Sequence, residues 1–332
     1  MIKVGHQHED KILKKKTLYC CRILLKTIGI FSVIFIMMHS IVIMYQKDTT
    51  RLFFLDVGQG DACVITHNEQ TFLVDGGGNK YMDEENNIGM RVIYPFLLYK
   101  GIDDIDVAFI SHMHYDHIKG VLELFDEIKI NKVAVSHVYK SIVEDEQQLQ
   151  EHVLLNELIK KCKQTNTELI FIKEGDVFLG DGIKFVCHYP FSETEYEEDE
   201  NKNSMVLELK TWEQQILFTG DIEAEVEEAI EEKDVDIYGM DVLKVAHHGS
   251  ATSSSQQFLE RTHPTVGIIS VGENRHGHPS QEVIARYNKL KIPVYLTMDY
   301  GMIEVSINRK HLKIKTHLRR NNDETVKRRY KK

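Results

Sequence analysis

Residues 109–120 read FISHMHYDHIKG, which places His112, His114, Asp116 and His117 within six positions, directly after an apolar strand and at the start of a predicted helix. Imidazole nitrogens and a carboxylate are the ligand set of zinc and other first-row divalent ions, and H-x-H-x-D-H supplies two pairs, enough to begin two adjacent metal sites. A solvated histidine-rich turn is the alternative, and such spacing argues against it even in a chain with 17 histidines.

Around this stretch, short β-rich runs alternate with helical ones. Before it come LFFLDV (52–57), CVIT (63–66) and FLVD (72–75), joined by the glycine-rich turns GQGD and GGGN, then a helical segment over 89–100. After it, the pattern predicts a helix over 116–127, KVAVSH (132–137), a helix over 145–162, and strands over 168–172 and 184–188. ETEYEEDENKN (193–203) reads as a solvated acidic loop. ILFTGD (216–221), an acidic helix to about 233, VLKVAH (242–247), VGIISV (266–271), a helix opened by Ser280, and the strands VYLT and MIEVSI complete the chain's last third. Such an order predicts an α/β (α+β) fold of mixed sheets covered by helices. No Pro/Gly/Ser-rich linker divides it, so 51–308 reads as one domain, followed by a basic C-terminal strand and tail, 309–332.

FLDVGQGDACVI, FLVDGGG, S-H-x-H-x-D-H, NKNSMVLEL, LFTGD, LKVAHHGSATSSS and NRHGHPS follow one another along residues 52–307. The metal motif resembles the signature of the metallo-β-lactamase superfamily, and the full series is similar to the C-terminal domain of ComEC-type DNA-uptake proteins. The resemblance implies a four-layer αββα sandwich with two divalent metal ions, zinc or manganese. ComEC-type proteins join this domain to a multi-helix channel that a single spanning segment cannot form, so a role in DNA uptake does not follow from the motifs.

The resemblance also implies roles for residues. Asp221, at the end of the strand ILFT, would bridge the two metals; the plainer reading is a helix N-cap. Either His247 or His248 would complete the second site with Asp116 and His117, and His247 is preferred because the predicted strand ends on it. His112, His114 and the bridge would form the first site. Where many superfamily members add a further histidine, this chain has Asn203 and Ser204, as ComEC-type sequences do. An amide or hydroxyl is a weaker ligand than imidazole, so the first site is expected to grip metal loosely and to suit manganese as well as zinc. Asn203 and Ser204 are expected near the substrate, as are Ser250, which opens a serine-rich run, and Asn274. His278, in GHP, is the candidate to contact a scissile phosphate or protonate a leaving group; a structural loop histidine is the alternative. Asp56, Asp61 and Asp75 lie in the glycine-rich turns, where Asp75 is placed to orient a ligand histidine, and a turn-forming role competes for Asp56 and Asp61.

At 332 residues and 42% hydrophobic, the chain has ample material for a core. Residues 27–45, TIGIFSVIFIMMHSIVIMY, contain no Asp, Glu, Lys or Arg and approach the thickness of a bilayer core. Residues 1–26 carry seven basic and two acidic residues, so the positive-inside rule predicts a basic cytoplasmic segment, a single-pass transmembrane anchor at 27–45, and a catalytic domain outside the cell membrane. The apolar run is longer than a usual signal-peptide core, and no small-x-small cleavage site follows. The tail 309–332 holds eleven basic and two acidic residues, which leaves the body more acidic than the whole chain's net charge of -10. That is a poor charge for non-specific nucleic-acid binding, so a polyanionic substrate has to be drawn in by metal or by the tail. The five cysteines have no C-x-x-C spacing, and no disulfide is required.

A divalent pair lowers the pKa of bound water and stabilises negative oxygens in an in-line displacement, which suits hydrolysis of a phosphodiester, single-stranded DNA among the candidates. Two alternatives stand beside it: hydrolysis of small esters, lactones or β-lactams, and a membrane-tethered binding or sensory module with a degenerate metal site.

Overall fold

The structure is a computed structural model and describes residues 19, 22–38, 49–79, 87–309 and 311–318. Residues 22–38 form a helix whose apolar side chains are exposed. No helix among the described residues is long and apolar enough to cross a membrane. Positions 39–45 of the predicted anchor, most of the basic segment before it and the tail from 319 lie outside the described residues.

Residues from Thr49 onward form a compact unit of their own. Its strands are β1 (Thr50–Phe54), β2 (Ala62–His67), β3 (Gln70–Gly76), β4 (Asp104–Ile110), β5 (Lys129–Ser136), β6 (Glu168–Ile172), β7 (Val177–Leu179), β8 (Ile183–Tyr189), β9 (Val206–Thr211), β10 (Gln214–Phe218), β11 (Val242–Lys244), β12 (Val266–Ile269), β13 (Val294–Leu296), β14 (Ile303–Ile307) and β15 (Leu312–Thr316). They build two mixed sheets, in the orders β15-β14-β1-β2-β3-β4-β5-β6 and β13-β12-β11-β10-β9-β8-β7. Each sheet begins with antiparallel hairpins and continues through parallel strands, β3 to β6 in one and β10 to β13 in the other. The parallel strands need helical crossovers, and these become the outer layers.

The period-2 alternation of a strand sorts neighbouring side chains to opposite faces. Thus Phe53 packs outward under helices while Phe54 faces the second sheet, and Leu217 and Phe218 divide in the same way. Between the sheets, Phe72 and Phe109 pack on Phe185 with ring centroids 4.9 and 4.8 Å apart. One outer layer holds α1 (Tyr94–Lys100), α2 (Tyr115–Leu124), α3 (Tyr139–Glu144), α4 (Glu146–Glu151) and α5 (Val153–Thr165); the other holds α6 (Ala224–Glu232), α7 (Gln256–Thr262) and α8 (Gln281–Lys289). The predicted helix over 145–162 is two helices, because His152 leaves helical geometry between α4 and α5.

This topology matters for the site because β4, β10, β11 and β12 all deliver their C-terminal ends to one edge of the sandwich. Loops there, with the start of α2, carry His112 to His117, Asp221, His247 with His248, and Asn274 to His278. The first hairpin reaches the same edge: a Cβ on Gly60, at φ +142°, would stand 2.5 Å from the Asp116 carbonyl oxygen, so only glycine permits the Asp61 N–H to donate to that oxygen at 3.0 Å.

Candidate metal centre

The first sheet supplies half of the site. After β4, Ser111 to His114 run extended, and α2 opens at Tyr115 with Asp116 in its first turn, where the helix dipole favours an anion. His117 and His112 are fully buried. His117 Nδ1 donates to Asp75 Oδ2 at 3.0 Å, which aims its Nε2 at Asp221 Oδ2, 3.2 Å away. Asp75 also accepts from the Ser111 amide at 2.8 Å and hydroxyl at 2.9 Å, and the Ser111 hydroxyl lies 3.0 Å from His112 Nδ1. The outer ring edge of His112 meets His114, Nε2 to Nδ1, at 2.9 Å.

The second sheet supplies the rest. Asp221 follows β10 by three residues, and its amide donates to Ser204 Oγ at 3.1 Å. Strand β11 stops at Lys244, three residues short of His247. The chain then turns through left-handed backbone at His247 (φ 49°) and His248 (φ 52°), which a non-glycine residue adopts only when its surroundings impose it. That turn reverses the predicted preference. His248, not His247, points inward, its Nε2 lying 3.3 Å from Asp116 Oδ2 and 3.5 Å from Asp221 Oδ2. Its Nδ1 is 2.9 Å from the Ser270 carbonyl oxygen and so carries the proton that it donates there. His247 Nε2 is 3.9 Å from Asp221, and its Nδ1 lies 3.1 Å from Glu223 Oε1 at the rim.

Asp61 and Lys244 join the two halves. Lys244 is 3% exposed, and its Nζ lies 2.5 Å from Asp61 Oδ2 while donating to the Val245 carbonyl at 2.9 Å. Asp61 also stands 3.5 Å from His248 Nδ1 and 3.9 Å from His117 Nδ1. Sequence reading missed Lys244 and Ser111; a lysine inside the apolar strand VLKVA was the available signal, since buried lysines are rare unless paired.

These charges set each other's protonation. Burial opposes the charge of His117 and His248, yet Asp221, with Asp75 for His117 and Asp61 for His248, outweighs it; His117 rises well above the usual range and His248 to about 10. Against the same burial, His248 and His117 hold Asp116 below the ordinary carboxylate range, and they hold Asp221 well below it. Burial together with His117 pushes His112 well down. A field that favours protons on two imidazoles favours a divalent cation for the same reason.

The donor set fits one. His117 Nε2, His248 Nε2 and Asp221 Oδ1 are buried without a hydrogen-bond partner, and both imidazoles have Nδ1 fixed by an outer acceptor, the arrangement that presents Nε2 to a metal. His112, His117 and Asp221 offer ligand atoms within 4.8 Å of one another, as do Asp116, His117 and His248.

The remaining predicted residues lie around this core. Asn203 and Ser204, expected at the substrate, are buried and engaged by the protein itself: the Asn203 amide bonds both the Glu197 N–H and the Glu197 carbonyl, and Ser204 holds Asp221. Asn274 likewise shapes its own loop, accepting from the amides of His276 and His278 and donating to the Gly272 and His278 carbonyls. The Ser250 hydroxyl pairs with Thr252 at 2.8 Å, and Asp56 accepts from the Gly58 amide at 3.4 Å in a turn. His278 stands at the rim with its ring 5.4 Å from His247; burial and that neighbour push it down to about 4. A cleft of about 680 Å³, lined by His114, Tyr115, Asp116, Asn274, Arg275 and His276 among others, opens beside the cluster.

Fold and site thus define an α/β sandwich of two mixed sheets with a buried histidine–aspartate cluster, and the Metallo-beta-lactamase superfamily profile matches residues 55–273: the chain belongs to that superfamily. Within it, the domain is related to competence proteins. It is 30% identical over 261 residues to ComE operon protein 3 of Bacillus subtilis (strain 168), covering 75% of this chain and 32% of that protein. Against Recombination protein 2 of Haemophilus influenzae it is 27% identical over 272 residues, covering 81% of this chain and 30% of that protein. The chain therefore spans roughly a third of the length of these curated relatives, 32% and 30%. Among solved structures a CmlA beta-hydroxylase shares the fold, with a TM-score of 0.50 at 12% identity over 78% of this chain and 54% of that one.

Proposed function

We propose that the chain is a metal-dependent phosphodiesterase acting on DNA or another phosphodiester, held outside the cell by a membrane anchor at 27–45. The observation that carries the hydrolase reading is the convergence of His117 Nε2, His248 Nε2 and Asp221 Oδ1, buried and without a hydrogen-bond partner, beside a cleft bordered by His114 and Asp116. His112, His114 and Asp221 would hold one ion, and Asp116, His117, His248 and Asp221 the other; zinc and manganese both suit this set. Two divalent ions, when bound, make hydroxide available near neutral pH and stabilise negative charge in a displacement at phosphorus.

The chain's own residues do the rest. Asp75 and the Ser270 carbonyl keep His117 and His248 in one tautomer and one orientation. Arg275, in the cleft lining, meets a phosphate that the acidic body would otherwise repel. His278, neutral at pH 7 with its pKa pushed down to about 4, serves to bind and orient an oxygen rather than to deliver a proton as a charged acid. The name of one relative, Recombination protein 2, supports a nucleic-acid phosphodiester. The exposed apolar helix at 22–38 supports the anchor.

The test is the full chain, with manganese or zinc, offered single-stranded DNA, double-stranded DNA, RNA, a bis-phosphodiester and a lactone, with Asp116→Ala as the blank. Cleavage of a phosphodiester that Asp116→Ala abolishes is expected. Lactone opening with every phosphodiester left intact overturns the substrate class. Protease digestion of intact cells tests the topology separately, since protection of the large domain refutes an outward-facing site.

A further inference from the structure

The acidic stretch 193–203 is not simply solvated. Tyr196, Glu200 and Asn203 turn inward from it, and Glu200 keeps a side chain only 14% exposed despite its charge. Three donors converge on that carboxylate. The hydroxyl of Tyr139, itself fully buried, donates to Oε2 at 2.6 Å; the Tyr196 hydroxyl donates to Oε1 at 3.2 Å; the Met113 amide donates to Oε2 at 3.4 Å and, more closely, to the Tyr139 oxygen at 3.2 Å. Met113 is the residue between His112 and His114. The next residues of the same segment continue the grip, with Ser204 accepting from the Asp221 amide and the Met205 amide donating to the Ser111 carbonyl at 3.0 Å.

We propose that Glu200 is a positioning residue for the metal site of His112, His114 and Asp221, acting through Tyr139 and the Met113 amide. The inference rests on the metal-centre reading above. His112 and His114 sit on an extended strand end between β4 and α2, where no helical hydrogen bond fixes the peptide that joins them. A buried carboxylate that receives a hydroxyl and an amide fixes that peptide and keeps both rings at one separation. The contacts of Glu200 and Tyr139 fall on the Met113 amide, between His112 and His114, and not on Asp116, His117 or His248, so the effect falls mainly on the site that His112 and His114 hold, Asp221 being shared by both. Outer groups of this kind typically change metal affinity about tenfold to a hundredfold.

The metal-free full chain is titrated with cobalt(II), following heat and the visible absorption bands, in wild type, Glu200→Ala and Tyr139→Phe. Tyr139→Phe removes one hydroxyl and keeps the ring, so it reports even if Glu200→Ala folds poorly. His112→Ala identifies which equivalent belongs to the first site. The expected result is that this equivalent binds about tenfold to a hundredfold more weakly in both variants, with altered absorption bands, while the other equivalent keeps its affinity. Two equivalents bound as in wild type, or an equal loss at both, overturns the positioning role and leaves the metal centre standing. A wild-type chain that takes up no cobalt overturns the metal-centre reading and this inference with it.

Discussion

The inner wall of the site and its rim are built on opposite principles. Asp61, Asp75, Ser111, His117, Lys244 and His248 are buried and bond one another across two sheets, whereas His114, Asp116, His247, His276 and His278 face the cleft or stand at its edge. On the inner wall each group has a partner that fixes its orientation; on the rim, side chains remain available to meet a ligand. Asp221 belongs to both, buried by its own chain yet within 3.9 Å of His117, His248 and His247. A residue shared between wall and rim cannot be replaced by either.

Asp221→Ala is therefore the largest expected effect: activity falls on the order of 10³-fold or more, in line with losses on removing a member of a cooperating set. Metal analysis of the same variant finds fewer ions per chain than wild type. Retention of full metal content would show that the two halves hold ions independently. Next comes Lys244→Met, which leaves Asp61 buried without its cation; breaking such a pair costs about 3 kcal/mol, read by chemical denaturation of the metal-free chain. Adding Asp61→Asn recovers part of the loss, because the stranded charge is removed. Smaller again is the contrast between neighbours: His248→Ala is expected to weaken metal binding at least about tenfold while His247→Ala leaves it nearly unchanged, both read by competition with a chelator. Equal losses would place both histidines on the wall.

How much of this was legible beforehand follows from distance along the chain. His112, His114, Asp116 and His117 are brought together by a strand end and one helical turn, so their spacing already marked them as neighbours, whereas Asp221 was singled out by the resemblance, its place at a strand end reading equally as an N-cap. His248 was not separable from His247, because the choice depends on where β11 stops and on two left-handed residues, φ 49° and 52°, that nothing in KVAHHGS signals. Lys244 with Asp61, and Glu200 with Tyr139, were hidden for another reason: each pair joins segments remote in sequence, and their partners emerge only when the layers pack. Mixed sheets with helical covers were legible from the alternation of β-rich and helical runs, and their pairing into a four-layer sandwich was implied by the resemblance. Short β7, Val177–Leu179, escaped because three residues, with Val177 and Leu179 exposed, carry little pattern.

The smallest effect is the most diagnostic, because wall and metal respond to pH with opposite signs. In the metal-free chain His248 titrates at about 10, above the roughly 6.5 of an unfolded histidine. A raised histidine contributes stability that is fully present below pH about 6.5 and is lost as pH climbs through about 10, since the unfolded chain gives up its proton first. Chelated protein should thus denature at progressively lower urea as pH rises across that window. Bound metal needs the same imidazole neutral, so protons compete with it, and the metal-loaded chain should gain stability from pH 6 to 8. Urea melts at several pH values, with and without excess zinc, read both slopes. If the two slopes share a sign, neither His248 nor His117, both raised and both aimed at the metal, is the group on which proton and metal compete.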